Sequence, residues 1–562
     1  MHPSNLAKRG TVLLFLAVIA FYFYGLGYLP LLGPDEPRYA QVAREMFLRH
    51  DLITPTLGGH LWFEKPALLY WMMIASFKLF GVSEWAARLP SALAGVLTIG
   101  AVFVVARQTL RSSKTEQPHE YVFWCVLASA TTLGIIVFSR AASFDIIVTM
   151  TITWALGFYL LYEFTFNEKA RRFCLAGFYL FIGLSLLAKG LVGIVIPFGV
   201  IALYYLLERR LPKRSALISL LWGLPLVLIV ASSWYAPVIR RHGWLFVDQF
   251  FIQHHFARYV SNKYHHKAAF YYYLLIFPLL ALPWTAFLID GVLQFKNWLS
   301  SADLNADDSA ENRLNRLMLF SLAWILFPLV FFTLSSSKLP GYMLPALPAA
   351  AFIIGERFWR LSLDFRNQTS SDKSFGRWPI RTTAALCLIF AVAAVGYAWR
   401  TDNLTVPFAL LMAAPILAAG CFAFFVPRKA AAAIMLIGGA TVVVLIAALN
   451  SAAPAFAERE SSKRLLQLAD ARGYSQAPIY GLQRDDRSPE FYAAGRVVYE
   501  PDGEPTMYEG VGQVVWESRR RQRTILTMAP IRDVEQFRQL SSMRVDVVGD
   551  NGKFALLAVG PP

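Results

Sequence analysis

Roughly thirteen apolar runs, each about 17 to 22 residues long, divide this chain, and a run of that length is enough to cross the hydrocarbon of a bilayer as a helix. The first occupies about residues 10 to 30; the others begin near residues 91, 121, 145, 173, 191, 215, 271, 317, 342, 381, 405 and 430. A helix closes its own backbone hydrogen bonds, which an open strand or loop facing lipid cannot do. Composition agrees: 56% of the 562 residues are hydrophobic, 15% aromatic and 16% charged, with mean hydropathy +0.45. The expected fold class is mainly α, a polytopic membrane protein of about thirteen transmembrane helices.

The net charge of +16 would suit nucleic acid in a soluble protein. Here Lys and Arg fall in short clusters between apolar runs, the pattern that retains cytoplasmic loops inside. Arg107/Arg111/Lys114, Lys169/Arg171/Arg172, Arg209/Arg210/Lys213/Arg214, Lys296/Arg313/Arg316, Arg357/Arg360/Arg366/Lys373/Arg377 and Arg428/Lys429 all fall on one side. No nucleic-acid partner is expected. The first span follows Lys8 and Arg9 and lacks a small-residue cleavage site, so it reads as an anchor with a cytoplasmic N-terminus, not a cleaved signal. An odd number of crossings then puts the segment after residue 450 outside. Cys125, Cys174, Cys387 and Cys421 lie in apolar runs without metal-ligand spacing and read as small core hydrophobes.

Residues 451–562 form a second region, richer in charged and turn residues, and read as a small α/β domain. Strands are expected at 478–481, 496–499, 524–527, 545–548 and 554–557, helices at 461–471 and 534–540, and a hairpin turn at Asp550-Asn551-Gly552. Arg519, Arg520, Arg521 and Arg523 read as a solvated basic face before a lipid-headgroup contact. Two outer loops, 31–90 and 235–270, are long. The first carries an amphipathic helix over Tyr39–Phe47; the second spaces Trp244, Phe246, Phe250, Phe251 and Phe256 as an interfacial aromatic belt. The remainder, 1–450, is the membrane domain.

Every charged cluster off the cytoplasmic side maps to this outer face: Asp35/Glu36/Arg38, Glu64/Lys65, Arg140/Asp145, Lys189, His254/His255/Arg258, Lys263/His265/His266/Lys267, and Lys338 with Tyr342. Charge at a bilayer edge is costly and marks a reaction site more often than a scaffold. Many cations with few acids suit a phosphate-bearing ligand, because ammonium and guanidinium groups donate charge-assisted hydrogen bonds to phosphate oxygens. Asp35 then acts as a base on an acceptor or braces the cations. Plainer readings stand beside these: Asp35 and Glu36 as helix-start acids, Glu64–Lys65 as an interfacial ion pair, Asp145 as the partner of Arg140, and His254 and His255 as packing residues.

The series Asp35-Glu36-x-Arg38-Tyr39-Ala40, Arg44-Glu45-Met46, Phe63-Glu64-Lys65-Pro66, Phe80-Gly81-x-Ser83-Glu84 and Arg88-Leu89-Pro90 resembles the aminoarabinose transferases that modify lipid A. Ser139-Arg140 with Asp145, Ala188-Lys189-Gly190, His255-x-x-Arg258, His266-Lys267-Ala268 and Ser337-Lys338-Leu339-Pro340-x-Tyr342 resemble that family's later motifs. The resemblance covers most of residues 30–360. It departs at Ala67, where relatives carry a second proline, and at His254, where they carry an acid.

The resemblance implies a GT-C glycosyltransferase, related to protein O-mannosyltransferases, in the bacterial inner membrane with its C-terminal domain periplasmic. It implies that Asp35 is the principal catalytic carboxylate, with Glu36 beside it and Asp145 in support. Lys65 and Arg258 would bind the donor phosphate, and Lys338 and Tyr342 line the lipid cavity. Arg38, Tyr39, Arg140 and Lys189 complete the substrate-binding set. Glu64 and His255 are the candidate pair for a divalent metal ion; no nucleotide cofactor is implied. The donor would be 4-amino-4-deoxy-L-arabinose on undecaprenyl phosphate, the acceptor lipid A phosphate, the product a modification tied to polymyxin resistance, and the enzyme a monomer. A protein Ser/Thr or another envelope glycan is the alternative acceptor. A lipid or solute transporter is the reading from another class, but the charges lie outside the spans and no internal repeat is visible.

Overall fold

The computed structural model describes residues 3–110, 118–257, 268–300, 309–367, 378–400, 405–426, 429–483 and 486–561. The chain divides into two compact units: Met1–Tyr24, Glu64–Leu69 and Pro90–Ala448 form the first, and Gly25–Phe63, Tyr70–Leu89 and Leu449–Pro562 the second. The second unit resumes at Leu449, where the sequence changes character, but it also takes in most of the first long outer loop.

The first unit is helical. Among the described residues, eight helices are long and apolar enough to cross a membrane: Glu84–Thr109, Phe144–Phe164, Glu168–Lys189, Arg214–His242, Ala310–Thr333, Trp378–Arg400, Val406–Phe425 and Ala430–Asn450. Two bent pairs, His119–Thr131 with Leu133–Ser139 at 57° and Tyr272–Leu280 with Thr285–Val292 at 115°, bring the total to ten if each is one span. The protein is thus a polytopic membrane protein, and the expected thirteen crossings are not reached by this measure. Val192–Leu207 has only 16 residues, about 24 Å of helix at 1.5 Å per residue. Hydropathy windows register apolar length and pass over such short or broken helices.

The two breaks support each other. Thr132 leaves the helical region at φ −74°, ψ 122°, and the amide of Leu133 donates to the carbonyl of Leu282 at 2.8 Å. Trp284 Nε1 donates to Thr131 Oγ1, also at 2.8 Å. Backbone groups freed inside the membrane region are thereby satisfied within the protein. Helix starts follow local chemistry: Ser143 accepts from the amide of Asp145, Asn167 from Ala170 and Ser309 from Asn312. Phe144–Phe164 lies innermost, with 83% of its apolar window buried, against 22% for Trp378–Arg400.

The cationic clusters at 169–172 and 209–214 prove to be more than loop charge. Glu163 and Glu208 are buried among them. Arg210 Nη2 reaches Glu163 Oε2 at 2.7 Å, and its Nε pairs with Glu208. Lys213 lies 3.7 Å from Glu163 and Arg316 3.9 Å from Glu208. Tyr205 and Tyr204 donate to the two acids at 3.0 and 2.7 Å, so the buried carboxylates are paired and hydrogen-bonded.

In the second unit, helix Asp35–Leu48 is followed by a two-stranded hairpin, β1 (Thr56–Leu57) and β2 (His60–Leu61). Glu45 holds that hairpin by accepting from Gly58 N at 2.7 Å, Gly59 N at 3.2 Å and Thr56 Oγ1 at 2.6 Å. After Leu449 comes a five-stranded sheet of β3 (Ile479–Leu482), β4 (Met507–Tyr508), β5 (Ile525–Pro530), β6 (Arg544–Asp550) and β7 (Phe554–Gly560), in the order β4-β3-β5-β7-β6. β3 runs parallel to β4 and β5; β7 runs antiparallel to β5 and β6.

Alternate strand residues face different helices. Leu526, Met528, Leu556 and Ala558 pack with Leu465, Leu466 and Ala469 of helix Lys463–Ala471. Ile525, Ala529, Leu557 and Val559 pack with Val514 and Phe537 of helices Val511–Arg521 and Val534–Arg538. A sheet covered on both faces explains the continuous apolar run of β7. The 496–499 strand is reduced to two isolated bridges, Val497 with Ile479 and Tyr499 with Pro505. Helix Val511–Arg521 has no counterpart among the sequence-based expectations; its three arginines mask the amphipathic period. Asp550-Asn551-Gly552 does turn the β6–β7 hairpin: Gly552 takes φ 82° and Asn551 Oδ1 accepts from Phe554 N at 2.9 Å.

Candidate active site

The second unit carries Asp35, Glu36, Arg38 and Tyr39 on the first turns of one helix. Gly33, at φ 67°, turns the chain, a conformation glycine adopts without Cβ strain. Pro34 and Asp35 then open the helix with no side-chain cap. Asp35 is exposed, and no side chain pairs with its carboxylate among the described residues. Glu36 is the opposite case. Its Oε1 accepts from Arg88 Nε at 2.8 Å, and its Oε2 from Arg88 Nη2 at 2.7 Å and Leu32 N at 2.9 Å.

Arg88 also donates to the carbonyls of Leu26, Leu29 and Pro30 at 2.7–2.8 Å. One guanidinium therefore ties the lead-in segment to the helix, the bidentate geometry that favours Arg over Lys. The Glu36 carboxylate is spent on this clamp. Arg38 lies over the Trp62 ring, 5.0 Å from its centre, with Glu490 at 4.0 Å. Tyr39 is buried.

The first unit carries the other described candidates. Asp145 sits at the start of helix Phe144–Phe164, and Lys189 ends helix Glu168–Lys189. The two form an ion pair. Lys189 Nζ also lies 4.9 Å from the centre of the Tyr342 ring, itself 4.8 Å from the ring of Phe332. Gly341 makes this packing fit: a Cβ there would stand 2.0 Å from Asp145 Oδ2. Lys338 is buried and donates to the carbonyl of Ser335 at 2.5 Å. The Tyr273 hydroxyl lies 3.2 Å from both the carbonyl and the amide of Leu339, which fixes the Ser337–Tyr342 segment.

One expectation changes. Arg140 does not hold Asp145; it donates to the carbonyls of Phe21 at 2.8 Å and Tyr24 at 2.5 Å and caps helix Pro3–Phe23. A guanidinium satisfies several end carbonyls at once, and Lys189 takes the carboxylate. Glu64 and Lys65 do form the plain ion pair, at 2.8 Å. Arg258, with Lys263, His265, His266 and Lys267, lies outside the described residues. His255 falls in the π-helix Asp248–Ala257, but its side chain also lies outside them.

Among the described residues no group of three or more His, Cys, Asp or Glu side chains could hold a metal ion. Glu64 Oε1 is engaged by Lys65. Sequence reading passed over Arg88, Gly341 and Glu490 as site residues. Arg88-Leu89-Pro90 was visible as a motif, and an arginine opposite a lone spare carboxylate was its available signal.

Residues 64–235 match the family model described as dolichyl-phosphate-mannose-protein mannosyltransferase. An uncharacterized protein of Aquifex aeolicus (strain VF5) is 29% identical over 422 residues, 74% of this chain and 76% of that one. The undecaprenyl phosphate-alpha-4-amino-4-deoxy-L-arabinose arabinosyl transferase of Aeromonas salmonicida (strain A449) is 28% identical over 349 residues, 60% of this chain and 58% of its own. The chain therefore aligns with less than two thirds of the length of that transferase. The crystal structure of ArnT from Cupriavidus metallidurans bound to undecaprenyl phosphate superposes with a TM-score of 0.76 over 97% of both chains, at 23% identity.

The fold is that of the ArnT structure. The sequence is similar to the aminoarabinose transferases over 60% of its length and to the O-mannosyltransferase family model over residues 64–235.

Proposed function

We propose that this protein transfers 4-amino-4-deoxy-L-arabinose from undecaprenyl phosphate to a phosphate of lipid A, on the periplasmic face of the bacterial inner membrane. The observation that carries the reading is the sequence match to transferases named for that donor. In this reading the donor leaves as a polyprenyl phosphate anion, so the site must stabilise negative charge as the anomeric C–O bond breaks. Preorganised cations do this well where water is scarce. Lys65, Arg38, Lys338 and Arg258 are proposed for the donor, and Asp145 holds Lys189 beside Tyr342.

A phosphate acceptor is already an anion at neutral pH and needs positioning more than deprotonation, so Asp35 orients sugar or cations. With a hydroxyl acceptor Asp35 would take the proton. Single displacement inverts the anomeric centre. Glu36 acts by position: its carboxylate is occupied by Arg88 and by the amide of Leu32. The N-terminus is proposed to be cytoplasmic, the region after Leu449 periplasmic, and the enzyme a monomer. A divalent ion at Glu64 and His255 is a separate proposal. Chelation should then abolish transfer and added metal restore it; full activity in EDTA removes the ion from the mechanism.

Mass spectrometry of lipid A from cells with and without this protein tests the reading. An amino-pentose increment that depends on the protein supports it. The family match over residues 64–235 favours, as the second reading, transfer to protein Ser or Thr. Unmodified lipid A together with protein-linked sugar would select that acceptor instead.

A further inference from the structure

We infer that the region after Leu449 is a working part of the site: its short helix Ser488–Tyr492 positions the helix that carries Asp35 and Arg38. The inference rests on the roles proposed above for those two residues. Three consecutive side chains reach three parts of the 25–89 segment, all within the second compact unit. Glu490, 2% exposed, places Oε2 4.0 Å from Arg38 Nε, while Arg487 holds its other oxygen at 3.0 Å and pairs as well with Glu504. Phe491 lies under Arg44, ring centre to guanidinium carbon 4.8 Å. The Tyr492 hydroxyl accepts from the amide of Leu31 at 2.7 Å and donates to Glu84 at 3.1 Å. Lys463 pairs with the same Glu84 carboxylate.

The turn that presents Asp35 has little packing of its own. A Cβ on Gly33 would meet nothing within 4 Å, and Gly33, Pro34 and Asp35 are all exposed. The position of Asp35 is therefore set by what fixes the chain on either side: Tyr492 on Leu31 before it, and Arg88 through Glu36 after it. A displacement near 1 Å at a reacting group is enough to slow transfer about a hundredfold. Tyr492 and Glu490 are positioning residues in this scheme; neither is asked to touch substrate.

The test uses the full chain, purified in detergent, with steady-state kinetics on a polyprenyl-phosphate sugar donor and thermal melting of each variant. Arg38→Ala comes first and is expected to raise the donor KM; an unchanged KM would refute the role given to Arg38 without touching Tyr492. Glu490→Gln is expected to raise the donor KM about three- to tenfold with little change in kcat, the pattern of lost ground-state binding. In the Arg38→Ala background it should add nothing, because it acts through Arg38. Additive losses, or a lower KM from Glu490→Gln, overturn the coupling. Tyr492→Phe keeps the ring and removes only the hydroxyl; kcat is expected to fall about tenfold with donor KM retained. Wild-type kcat in a Tyr492→Phe enzyme, at whatever melting temperature, overturns the positioning of Asp35.

Discussion

Gly341 and Asp145 approach so closely that the glycine has no room for a side chain: a Cβ would fall 2.0 Å from the Asp145 carboxylate. The segment that carries Lys338 and Tyr342 is thus seated directly on the acid that pairs with Lys189. Gly341→Ala must push Asp145 or the segment aside. We expect a protein that still inserts and folds but loses transfer about ten- to a hundredfold. Radiolabelled or mass-resolved transfer per mole of purified enzyme checks it, and wild-type turnover would refute the seating.

Asp35 and Glu36 are neighbours with opposite environments, and their variants should fail in opposite ways. Asp35→Asn is expected to melt like the wild type and lose transfer. Glu36→Gln leaves Arg88 without its charge partner at a buried position, where breaking such a pair costs about 3–5 kcal/mol. It should lower the melting temperature first and activity in proportion to the folded fraction. A stable, inactive Glu36→Gln enzyme would assign Glu36 a chemical role.

Glu163→Gln should destabilise by a smaller amount, under about 3 kcal/mol, because Arg210 loses one of its two buried partners and keeps Glu208. Transfer per folded molecule should not change. Thermal melting with activity normalised to monodisperse protein separates the two effects.

Glu517 gives a pH dependence. Hydrogen bonds from Arg520, then from Arg521 and Tyr480, hold its carboxyl at about 2 in place of 4.5. A carboxylate with a depressed folded-state pKa contributes stability that is complete above the unfolded value and disappears as pH falls through the folded one. The melting-temperature gap between wild type and Glu517→Gln should therefore be full above pH 4.5 and close as pH falls toward about 2. A gap that is constant across this window would mean the carboxylate is not the source.

The membrane class, the small C-terminal domain and most helix and strand positions were legible because each rests on local pattern: apolar run length, period-two alternation, a turn at Asp550-Asn551-Gly552. The candidate residues were visible as charges at a bilayer edge, but the structure spends two of them on scaffold, Glu36 on Arg88 and Arg140 on the carbonyls of Phe21 and Tyr24. Their partners were not visible. Nothing in spacing distinguishes Arg140 from Lys189 as the partner of Asp145, because the choice depends on which helix ends meet.

The sequence by itself determined that this chain spans a membrane and that an amphipathic helix runs over Tyr39–Phe47. Only the tertiary structure decided that Glu36 is spent on Arg88, that Gly341 seats a segment on Asp145, and that Glu490 and Tyr492, more than four hundred residues away in the chain, reach Arg38 and Leu31. Hydrophobic period is a property of neighbours in sequence, whereas an ion pair is decided by which side chains share a low-dielectric space after folding.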